Sequence, residues 1–443
     1  MKINETAKKK GMNLTRQVGY HFYSSKSAKF FVAAFFFTFP LESFGFKFAG
    51  YPISIPLVFL FLSVVMTLLY GKVRCLPFLF GLMFIIWAVS TNIDRHHVLS
   101  SYIFSVAALL LLLIPLVMRV PILNPTIFMI KWFLYGGVLS FVFLYYDLCI
   151  IYLHCPTLSQ LFPFVMTQSI CSVPRVTASM PEPSFYATYL VFLYACTDFW
   201  IQDKGFKSNY IVLLRMHIFI GLVLTLSLSG FLLIGIYFLF KFLVDIVPKV
   251  NKMLRGRVLV FLPKKSHLVM ALFTIILLFQ LLNTNNIFPY IYGRVYSIPA
   301  AFLNVNYSGS VGKRVNATNT ALLYLKTGGI LDIIAGEGYA NYEDWLESQF
   351  GTIYSSVGIA RTIQNVFAVI IISTGLVGFI LYCGFIVVIF YSCKNRFGVS
   401  FLILWLAYHF TTGHLIIYPL FGYLYLVAIK GIVFKSVHKQ INQ

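Results

Sequence analysis

The run IFMIKWFLYGGVLSFVFLYYDLCIIY fills residues 127–152 and is long enough to cross the hydrocarbon core of a bilayer as one helix. Such a helix needs about 20 predominantly apolar residues. The whole chain has the same character, because 59% of its residues are hydrophobic and its mean hydropathy is +0.85. These values lie outside the range of soluble proteins. The sequence therefore predicts a polytopic membrane protein, with residues 1–443 forming one integral membrane domain.

Further apolar runs of similar length recur along the chain. They lie near 30–48, 53–70, 76–92, 100–118, 184–202, 209–226, 230–248, 267–282 and 363–392. The last run, 399–431, is too long for one crossing, and Gly413 and Pro419 interrupt it, so we divide it into 399–412 and 415–431. We expect an all-α bundle of about 12 transmembrane helices, because only helices and closed barrels satisfy every backbone group within a bilayer.

The basic residues predict how this bundle is oriented. They give the chain a formal net charge of +21, which in a soluble protein would suggest nucleic acid. Here they cluster in alternate connections, as at Lys8–Lys10 and Lys249–Arg257. The positive-inside rule then places both termini in the cytoplasm, and no nucleic-acid partner is expected. No cleavable signal sequence is expected either, because the polar N-terminal stretch is long and no short apolar core follows it.

Two outward-facing loops are large, one at 153–182 and one at 283–362. In the second, Asn316–Thr320 is predicted to cap a short helix over Ala321–Lys326, and Gly328-Gly329 would end that helix. A segment Ile330–Ala335 and the turn Gly336-Glu337-Gly338 follow. We expect this larger loop to pack on the helices as a lid.

Three polar side chains within the apolar runs also carry expectations. Arg215 lies inside an apolar run and is expected to snorkel to the nearby cytoplasmic face. His409 and His414 flank the proposed turn of the last helix pair, and we expect structural hydrogen bonds there.

The first loop ends in the most specific stretch of the chain, RVTASMPEPSFYA at residues 175–187. Pro183 suits the first position of a helix, because its missing N–H would be unpaired there in any case. The stretch therefore places a cation, Arg175, and a carboxylate, Glu182, where a membrane helix begins at the outer face. Cys155 and Cys171 lie in the same loop, and in an oxidising compartment a disulfide between them would contribute about 3 kcal/mol.

The remaining chemistry points to an anionic lipid. No Cys/His spacing resembles a zinc site, and no glycine-rich nucleotide-binding pattern stands between a strand and a helix. Guanidinium groups bind diphosphate oxygens bidentately, and the positive end of the helix at Pro183 adds to this attraction. We therefore expect a lipid diphosphate at the outer face. The cations of the two loops include Arg175, Arg294, Lys313, Arg314 and Arg361.

The motif residues give this expectation a family. Arg175 followed by Glu182-Pro183-Ser184-Phe185-Tyr186-Ala187 resembles the arginine-then-E-P-S motif of Wzy-type O-antigen polymerases, which are related to O-antigen ligases. Most of the chain resembles that family in the order of its other motifs. These are Ser227-Leu228-Ser229-Gly230 between two close helices, Arg314 well ahead of the Gly336-x-Gly338 turn, and Gly375-Leu376-Val377-Gly378 in the following span.

The resemblance implies an integral glycosyltransferase of the bacterial inner membrane that acts at the periplasmic face without a metal or other cofactor. It would transfer a growing glycan from undecaprenyl diphosphate to the non-reducing sugar of a lipid-linked repeat unit. Both donor and acceptor would be undecaprenyl diphosphate-linked oligosaccharides. Membrane lipids would surround the protein, with a chain-length regulator and a flippase as possible partners.

We assign roles to individual residues on this basis. Arg175 and Arg314 would bind the leaving diphosphate more tightly as its charge develops. Glu182 would accept the proton of the attacking hydroxyl, or would instead orient Arg175 through an ion pair or cap the helix at Pro183. Substrate binding is assigned to Ser184, Arg294, Lys313, Gly336, Gly338 and Arg361.

Three alternatives stay open at this point. An O-antigen ligase would transfer finished polymer to lipid A-core, but that family places a histidine in its large outer loop, and 283–362 contains none; Asn365 stands near that place. A flippase or other transporter of lipid-linked oligosaccharides usually shows repeated halves and polar sites at the midplane. A non-catalytic scaffold or chain-length partner would not need the Arg175 and Glu182 arrangement.

Overall fold

A computed structural model describes residues 26–48, 51–70, 72–73, 75–91, 118–119, 125–153, 168–170, 173–178, 180, 182–204, 209–254, 310–338, 345, 365–392 and 396–409. This part of the chain is mostly helical, as predicted. The described helices are α1 (Lys26–Thr38), α2 (Ile55–Tyr70), α3 (Cys75–Ser90), α4 (Pro125–Leu153), α5 (Pro183–Lys204), α6 (Asn209–Thr225), α7 (Leu228–Leu254), α8 (Ser310–Thr327), α9 (Ile330–Ala335), α10 (Val366–Ser392) and α11 (Arg396–His409).

Short antiparallel strand pairs lie between some of these helices; two are formed by strands adjacent in sequence, and the third joins strands on either side of α3. Each pairs two strands, and the pairs are β1 (Gly45–Phe48) with β2 (Tyr51–Ser54), β3 (Lys72–Val73) with β4 (Met118–Arg119), and β5 (Gln168–Ile170) with β6 (Val173–Arg175).

Two described stretches are long and apolar enough to cross a membrane, Ile127–Ile150 and Val366–Val388. Shorter apolar helices lie at Ile55–Tyr70, Leu79–Ser90, Asn209–Thr225 and Ser229–Lys241. The predicted runs at 100–118, 267–282 and 415–431 lie outside the described residues, except for Met118 in β4. A count of about 12 spans therefore stays a prediction.

The predicted first span, 30–48, differs from the structure. Helix α1 ends at Thr38, and Gly45 begins a strand that pairs with Tyr51–Ser54. Pro40 follows the helix end by two residues, where a proline cannot continue the helical hydrogen bonds. The predicted span was too long because apolar composition does not show where the backbone turns.

Helix α5 lies at the centre of the described bundle. Nearly every side chain from Tyr186 to Phe199 is buried, and α5 contacts α4, α6, α7 and α11. A helix that is apolar on all sides is expected to be surrounded by other elements. The N-terminal end of α5, where the motif lies, is thereby held by the helices around it.

A buried ionic cluster ties α5 to α6 and α7. Arg215 on α6 pairs with Asp198 on α5, and Lys241 on α7 pairs with the same carboxylate. Tyr237 donates a hydrogen bond of 2.8 Å to Asp198 Oδ2, and Arg215 Nε donates one of 2.9 Å to Thr197 Oγ1. The prediction that Arg215 snorkels to the cytoplasmic face is therefore wrong. A partner within the bundle satisfies the guanidinium without water.

The C-terminal part of the second large loop packs on α10. Asn365 caps this helix, because its Oδ1 accepts hydrogen bonds from the N–H groups of Phe367 and Ala368 at 3.0 and 3.2 Å. Its Nδ2 donates to Thr318 Oγ1 of α8 at 3.2 Å. Helix α8 ends just before Gly328-Gly329, as predicted, but it begins at Ser310. The predicted cap at Asn316–Thr320 is therefore wrong, since those residues lie inside the helix.

Helix α10 is interrupted at Gly375, which has φ 65° and ψ −172°. The break frees carbonyl groups, and other segments satisfy them. The N–H groups of Glu337 and Gly338 donate to the carbonyls of Ile372 and Ser373 at 2.7 and 2.9 Å, and Trp87 Nε1 donates to that of Thr374 at 2.8 Å. The glycine turn after α9 thus acts as a cap for the broken helix.

The contact between α9 and this break requires glycine on both sides. Gly336 has φ 80° and ψ 176°, and a Cβ atom placed on it would lie 2.5 Å from the backbone nitrogens of Thr374 and Gly375. A Cβ on Gly375 would collide with the carbonyl of Ile334. Both glycines adopt a backbone region that other residues essentially do not enter.

Replacing Gly336 with alanine should destabilise the protein. The backbone strain alone costs about 1–3 kcal/mol, and the new methyl group also meets the backbone of α10. Gly235→Ala is the matched control, because a Cβ there meets nothing within 4 Å and alanine favours a helix interior by about 1 kcal/mol. We expect a lower unfolding temperature for G336A and an equal or higher one for G235A in detergent. Equal temperatures for the two variants would contradict the packing described here.

The ionic cluster predicts an order of stability among three proteins. Asp198→Ala leaves two cations without their shared carboxylate and should cost about 3–5 kcal/mol. Lys241→Ala keeps the pair of Arg215 with Asp198 and removes a side chain that is 27% exposed, so its cost should be near 1 kcal/mol. The unfolding temperature should be highest for the wild type, lower for K241A and lowest for D198A. If K241A unfolds at or below the temperature of D198A, Asp198 is not the centre of the cluster.

Candidate functional site

Arg175 lies at the end of strand β6, opposite Gln168 of β5. Its Nε donates a hydrogen bond of 2.7 Å to the carbonyl of Thr225, and the N–H of Val176 donates one of 3.3 Å to the carbonyl of Leu224. Both acceptors belong to the last residues of α6, whose carbonyls have no partner within the helix. The guanidinium therefore lies at the negative end of α6, which orients it and stabilises its charge.

A carboxylate on α4 holds the residues that follow Arg175. Asp147 Oδ2 accepts hydrogen bonds from the N–H groups of Thr177 and Ala178 at 3.0 and 2.8 Å. Ala178 has a positive φ of 46°, and the N–H of Met180 donates to the carbonyl of Thr177 at 3.1 Å. The chain thus turns tightly over Asp147 before it reaches α5. Sequence reasoning missed Asp147, although a carboxylate inside an apolar run was a usable signal.

Glu182 occupies the N-cap position of α5. Its carbonyl accepts hydrogen bonds from the N–H groups of Phe185 and Tyr186 at 3.1 and 3.2 Å, and Ser184 Oγ donates to its carboxylate at 3.0 Å. The helix begins at Pro183, as predicted. The carboxylate is exposed, and within the described residues no ion pair joins it to Arg175. Within the described residues its side chain accepts a hydrogen bond from Ser184 Oγ and from no backbone N–H, so capping by the carboxylate and its role as a base stay predictions.

The beginning of α7 packs directly against the beginning of α5. A Cβ atom placed on Gly230 would lie 2.5 Å from the Cβ of Ala187. Leu226 turns the chain with a φ of 47°, and the hydroxyls of Ser227 and Ser229 lie 2.8 Å apart. Two helix N-termini therefore meet beside the α6 end that Arg175 contacts. Helix N-termini and a guanidinium together form a site suited to an anion.

The structure describes some of the other predicted site residues and not others. Lys313 and Arg314 lie in the first turns of α8, which packs on α10. Gly336 packs closely against the break in α10, and the N–H of Gly338 donates to the carbonyl of Ser373 at this break. Their roles in substrate binding stay predictions. Arg294, Arg361, Cys155 and Cys171 lie outside the described residues, so their positions and the disulfide are untested.

His409 has the structural hydrogen bonds that we expected. Its Nε2 lies 2.6 Å from the hydroxyl of Tyr382, and its Nδ1 lies 2.8 Å from the carbonyl of Trp405. Its side chain is fully buried. It therefore serves the contact between α10 and α11.

Metal ligands do not assemble in the part of the chain that the structure describes, where no group of three or more His, Cys, Asp or Glu side chains could hold an ion. Neither a family model nor a curated protein matches the chain.

The contact between α5 and α7 can be tested by a compensating pair of substitutions. Gly230→Ala should separate the two helix ends, because its methyl group would overlap Ala187, and overpacking of this kind costs about 1–3 kcal/mol. Adding Ala187→Gly removes the opposing methyl group. We expect G230A to lower the unfolding temperature and G230A/A187G to recover part of the loss. No recovery in the double variant would contradict direct packing of these two residues.

Proposed function

We propose that the protein is an O-antigen polymerase, or a polymerase of a related surface polysaccharide. It transfers a growing glycan from undecaprenyl diphosphate to the non-reducing end of a lipid-linked repeat unit. One observation carries the proposal: Arg175 contacts the end of α6 two residues before the Ser227–Gly230 motif, and Gly230 of that motif packs on Ala187 of the Glu182–Ala187 motif. The Ser227–Gly230 motif is distant in sequence from the stretch 175–187, and the fold brings the two together.

Arg175 is suited to the leaving group of this reaction. Its Nε is occupied by the carbonyl of Thr225, which fixes the plane of the guanidinium. A diphosphate carries more charge on its oxygens as the glycosidic bond breaks, so a fixed cation beside two positive helix ends lowers the barrier. We assign the same role to Arg314. Ser184, Arg294, Lys313, Gly336, Gly338 and Arg361 are proposed to bind the substrates.

The proposed transfer needs one proton acceptor. The oxygen of an acceptor hydroxyl attacks the anomeric carbon of the donor glycan, and the bond from that carbon to the diphosphate oxygen breaks. Undecaprenyl diphosphate leaves with the electron pair, and the hydroxyl proton passes to a base. Glu182 is exposed at the start of α5, where a substrate can reach it, and we propose it as that base.

The proposed setting is the bacterial inner membrane, with both termini cytoplasmic and the active face periplasmic. Helix α10 has membrane length and leaves Ile380 and Val387 65% and 63% exposed. Large apolar side chains on the outside of such a helix suit contact with lipid tails. The donor and acceptor lipids would then enter from the bilayer, and a chain-length regulator and a flippase would act beside this protein.

One observation favours transport as a second candidate function. The interruption of α10 at Gly375 is of the kind that lines ion and substrate sites in transporters. Here, however, the freed carbonyls of Ile372, Ser373 and Thr374 already accept protein hydrogen bonds. They are therefore poorly placed to coordinate an ion, and we rank the polymerase first. A ligase has weaker support, since Asn365, which stands near the place of the ligase histidine, caps α10.

The proposal can be tested by deleting the gene for this protein in its native Gram-negative host, which should make O-antigen. Lipopolysaccharide from the deletion strain should retain the band of core plus one repeat unit and lose the ladder, because flipping and ligation still operate. Wild type should restore the ladder, whereas Arg175→Ala and Arg314→Ala should not. Lysine at these positions should rescue poorly, because it lacks the bidentate fork.

Lys131→Ala serves as the control for loss of a cation. Lys131 is exposed on α4 and lies over the ring of Tyr135, with its Nζ 5.7 Å from the ring centroid. This variant should restore the ladder fully at equal protein level. Loss of every repeat unit in the deletion strain would instead indicate a ligase or a flippase. A normal ladder from R175A would remove Arg175 from the reaction.

A further inference from the structure

Asp147 is an unusual residue for its place in the fold. It lies within Ile127–Ile150, one of the two stretches of membrane length, and is 1% exposed. A carboxylate is costly at such a position unless hydrogen bonds or opposite charges compensate for its burial. Its compensation comes from the N–H groups of Thr177 and Ala178.

Stability alone explains Asp147 poorly, because an apolar side chain at 147 would avoid the burial of the carboxylate. The side chain of Thr177 also lies beside this carboxylate, so the same loop segment surrounds it with more than its N–H groups. A carboxylate that is kept at a buried position within a membrane-length helix calls for an explanation.

The position of the acceptor relative to Arg175 offers that explanation. Thr177 and Ala178 follow Arg175 by two and three residues. Arg175 and Val176 contact the last carbonyls of α6, and the next two N–H groups point to α4. The segment is thus held from two sides by four hydrogen bonds, one of which comes from the guanidinium itself.

The two anchors differ in chemical kind. Bonds to an ionised acceptor are about twice as strong as neutral ones, and Asp147 therefore supplies the stronger anchor. It also holds Ala178 in the left-handed conformation, with φ 46°, which costs of order 1–3 kcal/mol in a residue other than glycine. Without Asp147 the turn would relax, and the backbone at Arg175 would move with it.

We infer that Asp147 is a positioning residue, which fixes Arg175 for binding of the lipid diphosphate through the backbone of Thr177 and Ala178. The inference rests on the proposed function and adds a residue to its site. Asp147 touches no substrate in this arrangement, since the segment 176–178 covers it. Its effect on the reaction passes entirely through the placement of the guanidinium.

The test measures binding of undecaprenyl diphosphate to the full-length protein in nanodiscs. Asp147→Ala should weaken binding on the order of 10²-fold, because the displaced guanidinium loses charge-assisted hydrogen bonds to the diphosphate. Asp147→Asn keeps an acceptor oxygen for both N–H groups and should recover most of the affinity. Ser63→Ala is the control: Ser63 is buried on α2 and donates to the carbonyl of Leu60 in its own helix, so its affinity should equal that of the wild type.

A double-variant comparison separates positioning from general damage. If Asp147 acts through Arg175, then D147A should add little to the loss caused by R175A, whereas independent effects would multiply. Multiplying effects, or wild-type affinity in D147A, would overturn the inference. If D147A does not fold, Asp147→Leu, which fills the space of the carboxylate with an apolar side chain, replaces it in the same comparison. Absence of binding by the wild type would instead contradict the proposed function.

Discussion

A helix end buried among other helices has to find hydrogen-bond partners where water does not reach, and the described structure depends on how this constraint is met. The last carbonyls of α6 accept hydrogen bonds from Arg175 and Val176. The carbonyls freed within α10 accept hydrogen bonds from Glu337, Gly338 and Trp87. The motifs that look like separate signals in the sequence are thus the partners of helix ends.

This arrangement explains why the candidate site lies where it does. Helix α5 is surrounded by other helices, so its N-terminus is fixed, and Gly230 lets the N-terminus of α7 approach it closely. Arg175 is added at the adjacent end of α6. Rigid positive groups of this kind act without rearranging when charge develops on a bound anion. The same rigidity gives Asp147 its proposed role, because a loop residue is only as well placed as the backbone that carries it.

The sequence predicted the described helices well where composition decides them. Runs such as 127–152 and 209–226 correspond to α4 and α6, and Pro183 begins α5 as expected. Composition could not show where the backbone stops being helical. Pro40 ends the first run early, and Gly375 interrupts α10 within an unbroken apolar stretch, since apolarity says nothing about the backbone angles of one glycine.

The candidate site was predictable in part. Arg175, Glu182 and Ser184 follow from a local motif, and the structure shows that motif at the start of α5. Asp147 is 28 residues before Arg175 in the sequence, and its contact with the loop depends on the way α4 packs beside it. The prediction for Arg215 was wrong for the same reason, because Asp198 and Lys241, which form the ionic cluster with it, come from two other helices. Pairings across helices depend on packing, which a single sequence does not reveal.

The central claim is that this chain alone joins lipid-linked repeat units. The most direct measurement incubates the purified protein, reconstituted in vesicles, with an undecaprenyl diphosphate-linked repeat unit as the only substrate. The account predicts a series of longer lipid-linked glycans and one undecaprenyl diphosphate released for each new bond. Movement of the repeat unit across the vesicle membrane without elongation, or transfer only after lipid A-core is added, would contradict it.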